Sequence, residues 1–229
     1  MKKFDACSAG MIFENEAKHK GFSLVCGLDE AGRGPLAGPV VAAAVVLKSP
    51  LFRCPIRDSK KMTALQRERA FHDIYDNAYV GVGIISRAVI DAINISNATF
   101  FAMTHAVLQM RSRLPSDYAD PGFLKRRLFL LVDGNRFKTE LPYHFQTLVS
   151  GDARSLSIAC ASVVAKVTRD RILMAYDKIY PQYGFKKHKG YPTAEHRNAI
   201  ERHGFSPIHR LTFRVLHDEK KQDYAGSPG

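Results

Sequence analysis

Apolar residues in this chain fall into two kinds of run, and the contrast between them sets the fold class. One kind is short and nearly continuous. Residues 22–30 and 39–47 are apolar on both faces, as central strands are, and 79–85 (YVGVGII), 127–134 (RLFLLVDG) and 143–149 (YHFQTLV) add three more strand candidates. The other kind is longer and broken by polar positions. Thr63 followed by Gln66 is a capping-box pattern, which opens a helix running to about Asn77. Residues 95–113 fit a second helix that stops before Pro115. Residues 155–180 fit a long third helix, whose first half is built of small side chains suited to packing closely on a sheet. Between these, 114–126 reads as a polar loop containing Pro and Gly. Residues 181–217 read as loop and short helices, one starting near Thr193, and the final KKQDYAGSPG reads as a disordered tail.

Strands that come first and then alternate with helices imply an α/β fold around a mixed sheet, with the first two strands antiparallel neighbours. The 229 residues suffice for one substantial core. The chain divides into an N-terminal extension (1–20), a catalytic-type core (21–180), a basic helical part (181–219) and a tail (220–229). No apolar stretch is long enough to span a bilayer, and MKKFDACSAGMIF lacks the apolar region of a signal peptide. Cys7, Cys26, Cys54 and Cys160 lack paired zinc-ligand spacing. Cys26 and Cys160 lie in apolar runs, where reduced core cysteines are expected, and a cytoplasmic location follows.

Charge changes this picture. The net charge is +12, and it is uneven: Lys plus Arg against Asp plus Glu is 13 to 10 over residues 1–110 and 21 to 12 over 111–229. That excess suits an anionic partner such as nucleic acid, although a merely soluble basic surface would account for charge alone.

The candidate chemistry lies at strand ends. Asp29 and Glu30 close the first apolar run, and a turn with Gly32, Gly34 and Gly38 follows. Asp133 closes the fourth run, and Asp152 precedes the long helix. Each has an ordinary explanation: a salt-bridged pair, a turn aspartate, an acid at a helix start. Together they are four carboxylates at element ends, the number that two divalent ions need for phosphoryl transfer. Other schemes fit less well. There is no GxxxxGK[ST], no GxSxG and no HExxH, and GRGPLAG leads into a strand where a dinucleotide fold needs a helix. His188, His196, His203, His209 and His217 cluster in the basic part and read as surface or phosphate contacts.

Three segments could face a substrate. The Gly32-Arg33-Gly34 turn can bring backbone against a sugar or phosphate. Ser59, Lys60 and Lys61 stand before a helix start, a phosphate-site arrangement that a solvated loop would also produce. Lys186, Lys187 and Lys189 lead to Gly190-Tyr191, where the ring could stack on a nucleotide or pack on the core as a loop aromatic.

These residues carry a resemblance. GLDEAGRGPLAGPV (27–40), DSKKM (58–62), INISNATFFAM (93–103), LVDGN (131–135), GDARSLSIACASVVAKVTRDR (151–171), HKGYPTAEH (188–196) and SPIHRLTF (206–213) resemble ribonuclease HII of bacterial type, over about residues 22–216. The resemblance implies a ribonuclease-H-like fold with a mixed five-stranded sheet flanked by helices and a C-terminal helical part closing over the substrate. It implies hydrolysis of RNA in RNA–DNA hybrids and at single ribonucleotides in duplex DNA, leaving 3′-OH and 5′-phosphate ends, as in DNA replication and repair. It places the catalytic and metal-binding acids at Asp29, Glu30, Asp133 and Asp152, with two Mg²⁺ or Mn²⁺ ions. It places 2′-OH and phosphate contacts at Gly32, Arg33 and Gly34 and the substrate tyrosine at Tyr191, in a monomer without a membrane partner. Cys160 stands where alanine is more usual, and residues 1–20 match nothing in the family. Ribonuclease HIII, the sister type, is disfavoured by the short N-terminal segment and by GRG. A nuclease-dead binding protein is disfavoured by the complete set of acids.

Overall fold

The computed structural model of the chain describes residues 10–118 and 120–214. Five strands form its centre: β1 (Leu24–Ala31), β2 (Val40–Leu47), β3 (Ala78–Ile85), β4 (Leu128–Asp133) and β5 (His144–Leu148). Their spatial order is β3-β2-β1-β4-β5. β1 pairs antiparallel with β2, and β2 with β3, while β1–β4 and β4–β5 are parallel. The expected mixed five-stranded α/β sheet is therefore present, with the first two strands antiparallel as their short connection requires.

Among the described residues, five of seven helices flank the sheet or brace its ends. α1 (Ile12–His19), α2 (Ala64–Asn77), α3 (Arg87–Arg111), α4 (Pro121–Arg127) and α5 (Leu156–Ile179) are followed by α6 (Phe185–His188) and α7 (Ala194–His203). On one sheet face, Cys26, Leu28, Ala42 and Leu130 pack on Ala98, Ala102 and Ala106 of α3. On the other, Ala43 and Val45 pack on α2 and α5 through Ile74, Ala159 and Val163. Small side chains in β2 let helices cover both faces. The Thr63–Gln66 capping box opens α2 as expected.

Three local readings need correction. α3 begins at Arg87, eight residues before the helix read from the pattern, and it breaks at Asn94, where φ is 65°. The Asn94 side chain accepts the Asn97 N–H at 3.1 Å and so caps the second segment, the one visible in the sequence. Residues 121–126, read as loop, together with Arg127, read as the first residue of a strand, are α4. Asp120 caps it by accepting from Gly122 N (3.1 Å) and Phe123 N (2.7 Å), and Pro121 fills the first turn. Residues 12–19, placed in the extension, form α1. Its Glu14 is 2% exposed, and Oε1 accepts from Ser155 Oγ (2.6 Å), Ser157 N (2.9 Å) and Ser157 Oγ (2.8 Å). Glu14 thus caps α5 from another element and ties α1 into the core.

The C-terminal part has its own small core. Leu36 and Leu173 meet Tyr183, Phe185, Ile200 and Ile208 there. His188, His196 and His209, expected at the surface, are buried in this layer, with the His188 and His196 rings stacked at 4.4 Å. A backbone N–H can only donate, and this fixes the tautomers. Ser206 N donates to His209 Nδ1 (2.8 Å), so the His209 proton sits on Nε2 and bonds His196 Nε2 (3.0 Å). His196 then carries its proton on Nδ1 and donates to the Tyr191 carbonyl at 3.0 Å. His203 is exposed, as expected, and His217 lies outside the described residues.

Burial holds both His196 and His209 down to about 4 from the usual 6.5, and neighbouring histidines add to it. Their depressed folded-state pKa means that the stability they contribute is complete above pH 6.5 and is lost as pH falls toward about 4. Hydrogen exchange over residues 183–210 should accelerate across that interval relative to β1 and β4. His209→Gln, which can still accept from Ser206, should flatten the response. Exchange in this segment that tracks the strands at every pH would contradict the proton-ordered histidine chain.

Candidate active site

Strand register brings the first acids together. Leu28 pairs with Val132 in the parallel β1–β4 ladder, so Asp29 and Asp133 follow at adjacent strand ends. Side chains alternate across a strand. Asp29 shares its face with Gly27 and turns toward α5. Glu30 shares its face with Leu28 and turns toward α3, where it lines a cleft with Ser96, Thr99, Phe100 and Asp133. Only glycine fits at position 27, because a Cβ there would lie 2.1 Å from the Ser157 carbonyl carbon at the start of α5. That close approach sets α5 directly against β1. Asp152 sits in the 3-10 turn Gly151–Ala153 that leads into α5, and Asp133 Oδ1 accepts from Gly151 N at 2.7 Å. All four expected acids therefore gather at one end of β1 and β4.

The electrostatics are those of an under-neutralised cluster. Asp29 and Asp152 are each 5% exposed. Burial pushes the Asp29 carboxyl well above the usual carboxylate range, and Glu30 and Asp133 reinforce it, against a bond from Ser162. Burial also raises Glu30, with Asp133 adding and Arg33 opposing. Asp133 is raised by burial and by Asp152, against the Gly151 bond. A carboxylate with a raised folded pKa destabilises the fold increasingly as pH rises through that value.

Two cations face the cluster from its rim. Lys60 Nζ lies 3.5 Å from Asp152 Oδ2 and Arg33 NH1 lies 3.3 Å from Glu30 Oε1. Partial burial works against the Lys60 ammonium, yet Asp152, Asp29 and Asp58 raise its pKa. Among the described residues no three His, Cys, Asp or Glu side chains converge as they stand into a ligand set. The donors are nonetheless all oxygen and carry excess negative charge, and Asp29, Glu30 and Asp133 are raised in pKa by burial and by neighbouring carboxylates, which is the environment a hard divalent ion relieves. Asp29, Glu30, Asp133 and Asp152 would hold such ions with the Asp152 and Glu30 carboxylates released from Lys60 and Arg33.

The other expected residues divide. Gly32, Arg33 and Gly34 directly follow the Asp29-Glu30 pair, and a Cβ on Gly34 would lie 3.8 Å from the Tyr191 ring, so turn and tyrosine adjoin. Tyr191 is 43% exposed and available to a partner. Ser59 needs correction: it is 3% exposed and bonds Ser162 Oγ at 2.9 Å, inside the fold behind Asp29. Lys61 lines a separate pocket with Cys54, Arg57 and Arg69. Lys187 pairs with Glu195 at 2.9 Å, and Lys189 bonds the Lys186 carbonyl. Those lysines are not gathered at the carboxylates. The sequence pattern does not show that Ser162 bonds Asp29, or that Arg169 and Arg210 bond the carbonyls of the loop that follows β1. Ser162 looks like one more small residue of a helix face, and a buried arginine is indistinguishable by pattern from a surface one.

The ribonuclease HII family profile matches residues 26–216. Ribonuclease HII of Magnetococcus marinus is 48% identical over 198 residues, covering 86% of this chain and 88% of that protein. Ribonuclease HII of Geobacter sulfurreducens is 48% identical over 207 residues, covering 90% of this chain and 89% of the other. Among solved structures, ribonuclease H2 from Pyrococcus horikoshii OT3 superposes with a TM-score of 0.64 at 24% identity, covering 84% of this chain and 94% of that one. Bst ribonuclease HIII in complex with Mn²⁺ superposes with a TM-score of 0.62 at 15% identity, covering 87% and 70%. The long matches at 48% identity, with the family profile spanning nearly the whole described chain, place this protein in the ribonuclease HII family, a hydrolase of the nuclease class.

Proposed function

We propose that the protein hydrolyses the RNA strand of RNA–DNA hybrids and the phosphodiester at a single ribonucleotide within duplex DNA, leaving 3′-OH and 5′-phosphate ends. The observation that carries this reading is the gathering of Asp29, Glu30, Asp133 and Asp152 beside a glycine turn that adjoins the Tyr191 ring. Asp29, Glu30 and Asp133 would hold one of two divalent ions, Mg²⁺ or Mn²⁺, and Asp152 would complete the second site. Such ions supply charge neutralisation at the scissile phosphate and water activated at neutral pH.

The remaining steps belong to the chain. The Gly32–Gly34 backbone presents polar groups to the 2′-OH, which distinguishes RNA from DNA at a given position. Tyr191 packs on the adjoining sugar and sets the ribose against that turn. Lys60 balances Asp152 until phosphate enters, and it then offers its ammonium to the phosphate. The basic C-terminal surface with Lys186, Lys187 and Lys189, and Lys61 ahead of α2, attract the duplex without reading its sequence. The reading calls for a nucleic-acid partner and no membrane, in a monomer acting in the cytoplasm. Among the described residues, no helix is long and apolar enough to cross a membrane.

The first test is cleavage of an end-labelled DNA duplex carrying one ribonucleotide, with Mg²⁺ or Mn²⁺ and with chelator. Cleavage should require metal and occur at the ribonucleotide. Asp133→Asn, which keeps shape and can still accept from Gly151, should lower turnover on the order of 10²-fold or more, equivalent to ~3 kcal/mol of transition-state stabilisation. Near-normal turnover by Asp133→Asn would remove the acid cluster from the chemistry.

Tyr191 generates a second test. Tyr191→Ala should lose roughly tenfold to a hundredfold in turnover on the single-ribonucleotide duplex, in line with about 1–3 kcal/mol for polar groups left unpaired. Tyr191→Phe keeps the ring and should lose less. Parent-like rates for both would make Tyr191 a packed loop aromatic.

A further inference from the structure

Two arginines with no place in the chemistry above are among the most buried side chains of the molecule. Arg169, on α5, and Arg210, after α7, are each 1% exposed. Both direct their N–H groups at the backbone of one loop. Arg210 donates to the carbonyls of Gly32 (2.6 Å), Arg33 (2.9 Å) and Gly38 (3.0 Å). Arg169 donates to those of Ala37 (2.9 Å) and Pro39 (3.0 Å), and to that of Lys189 (2.9 Å), two residues before Tyr191. All six acceptors are neutral carbonyls, so two positive charges stay at the back of the loop. Burial lowers both guanidinium pKa values, to about 10 and about 9, and both remain cations at neutral pH.

Peptide geometry turns these bonds into a statement about the opposite face. In a trans peptide the carbonyl of one residue and the N–H of the next point in opposite directions, and there are no cis bonds among the described residues. With the Gly32 and Arg33 carbonyls drawn inward, the N–H groups of Arg33 and Gly34 point outward. Both residues are exposed, and neither N–H has a hydrogen-bond partner among the described residues. Consecutive outward N–H groups form an anion-binding concavity. Gly32 has φ of 98°, and a Cβ there would lie 2.1 Å from Arg169 Nε, so the turn and the arginines are built around one another. The loop is also laced to the tyrosine segment, since Leu36 N donates to the Gly190 carbonyl and Arg210 N to the Leu36 carbonyl, each at 2.8 Å.

We propose that Arg169 and Arg210 are positioning residues that aim the Arg33 and Gly34 N–H groups at the ribonucleotide's sugar–phosphate and hold that turn in register with Tyr191, so that selection of ribose over deoxyribose depends on two cations that never touch the substrate. This rests on the reading of the Gly32–Gly34 turn as substrate-facing. Lysine keeps the charge at either position, but as a point donor it cannot span three carbonyls as the planar guanidinium does.

The test compares affinities for a single-ribonucleotide duplex and an all-DNA duplex, in an Asp133→Asn background to suppress cleavage, with Arg210→Lys or Arg169→Lys added. The ribonucleotide preference should fall about tenfold, the worth of one well-aimed hydrogen bond, while all-DNA affinity stays within about twofold. In Arg210→Ala, methylguanidinium should restore the preference and methylammonium should not. If Arg210→Lys does not fold, Arg169→Lys carries the same comparison. A preserved preference in the Lys variants would overturn the proposal, as would a parallel loss of both affinities, since a merely structural role lowers both together. A background protein with no ribonucleotide preference would instead overturn the reading of the turn, and the proposal with it.

Discussion

Asp29 lies buried between Glu30 and Asp133, and the repulsion among these charges is the constraint around which the structure is arranged. Like charges in a low-dielectric setting raise one another's pKa and oppose folding. The fold answers with geometry. Parallel pairing fixes Asp29 beside Asp133, a bond from Gly151 holds the Asp133 oxygen, and Lys60 and Arg33 reach in from the rim. None of these supplies the compact double charge that four carboxylates can accept. The cluster thus keeps an excess of negative charge, which suits the divalent ions proposed for it, and stability is given up locally to hold it.

Holding such a cluster rigid requires support from far along the chain. Gly27 lets α5 lie directly on β1, and Glu14 anchors the α5 N-terminus near Asp152 through three bonds from Ser155 and Ser157. Beside the cluster, the buried histidine chain ends on the Tyr191 carbonyl, and Arg169 and Arg210 bond the tyrosine segment and the glycine turn. The acid cluster and the glycine turn therefore sit on the same frame: α5 carries Ser162 toward Asp29 and, two turns on, Arg169 toward the turn.

Much of this was legible in the sequence because it follows from local pattern. Apolar runs ending in acids marked β1 and β4, and Thr63–Gln66 marked the start of α2. What escaped depends on tertiary contacts. Asn94 interrupts α3 with a left-handed residue, so the periodicity ahead of the break was not joined to the part behind it. α1 is short and owes its place to Glu14, whose partners lie about 140 positions away, beyond any window. The histidines looked polar and therefore external, but a chain of neutral imidazoles satisfies itself and can be buried. Ser59 was misplaced for a related reason: a serine before lysines resembles a phosphate site until Ser162 is known to face it. The α4 start was readable, since Asp120-Pro121 is a cap signal, but the Pro/Gly composition of the segment obscured it.

Thermal unfolding of the parent and of Asp133→Asn, each with and without Mg²⁺ or Mn²⁺ at neutral pH, tests the charge-cluster account most directly. A ligand that binds only the folded state raises the melting temperature, by more the tighter it binds at a given concentration. The account predicts that Asp133→Asn melts higher than the parent without metal, because one repelling charge is gone, and that divalent ions raise the parent's melting temperature more than the variant's. A variant that melts below the parent without metal, with both proteins responding equally to the ions, would contradict it.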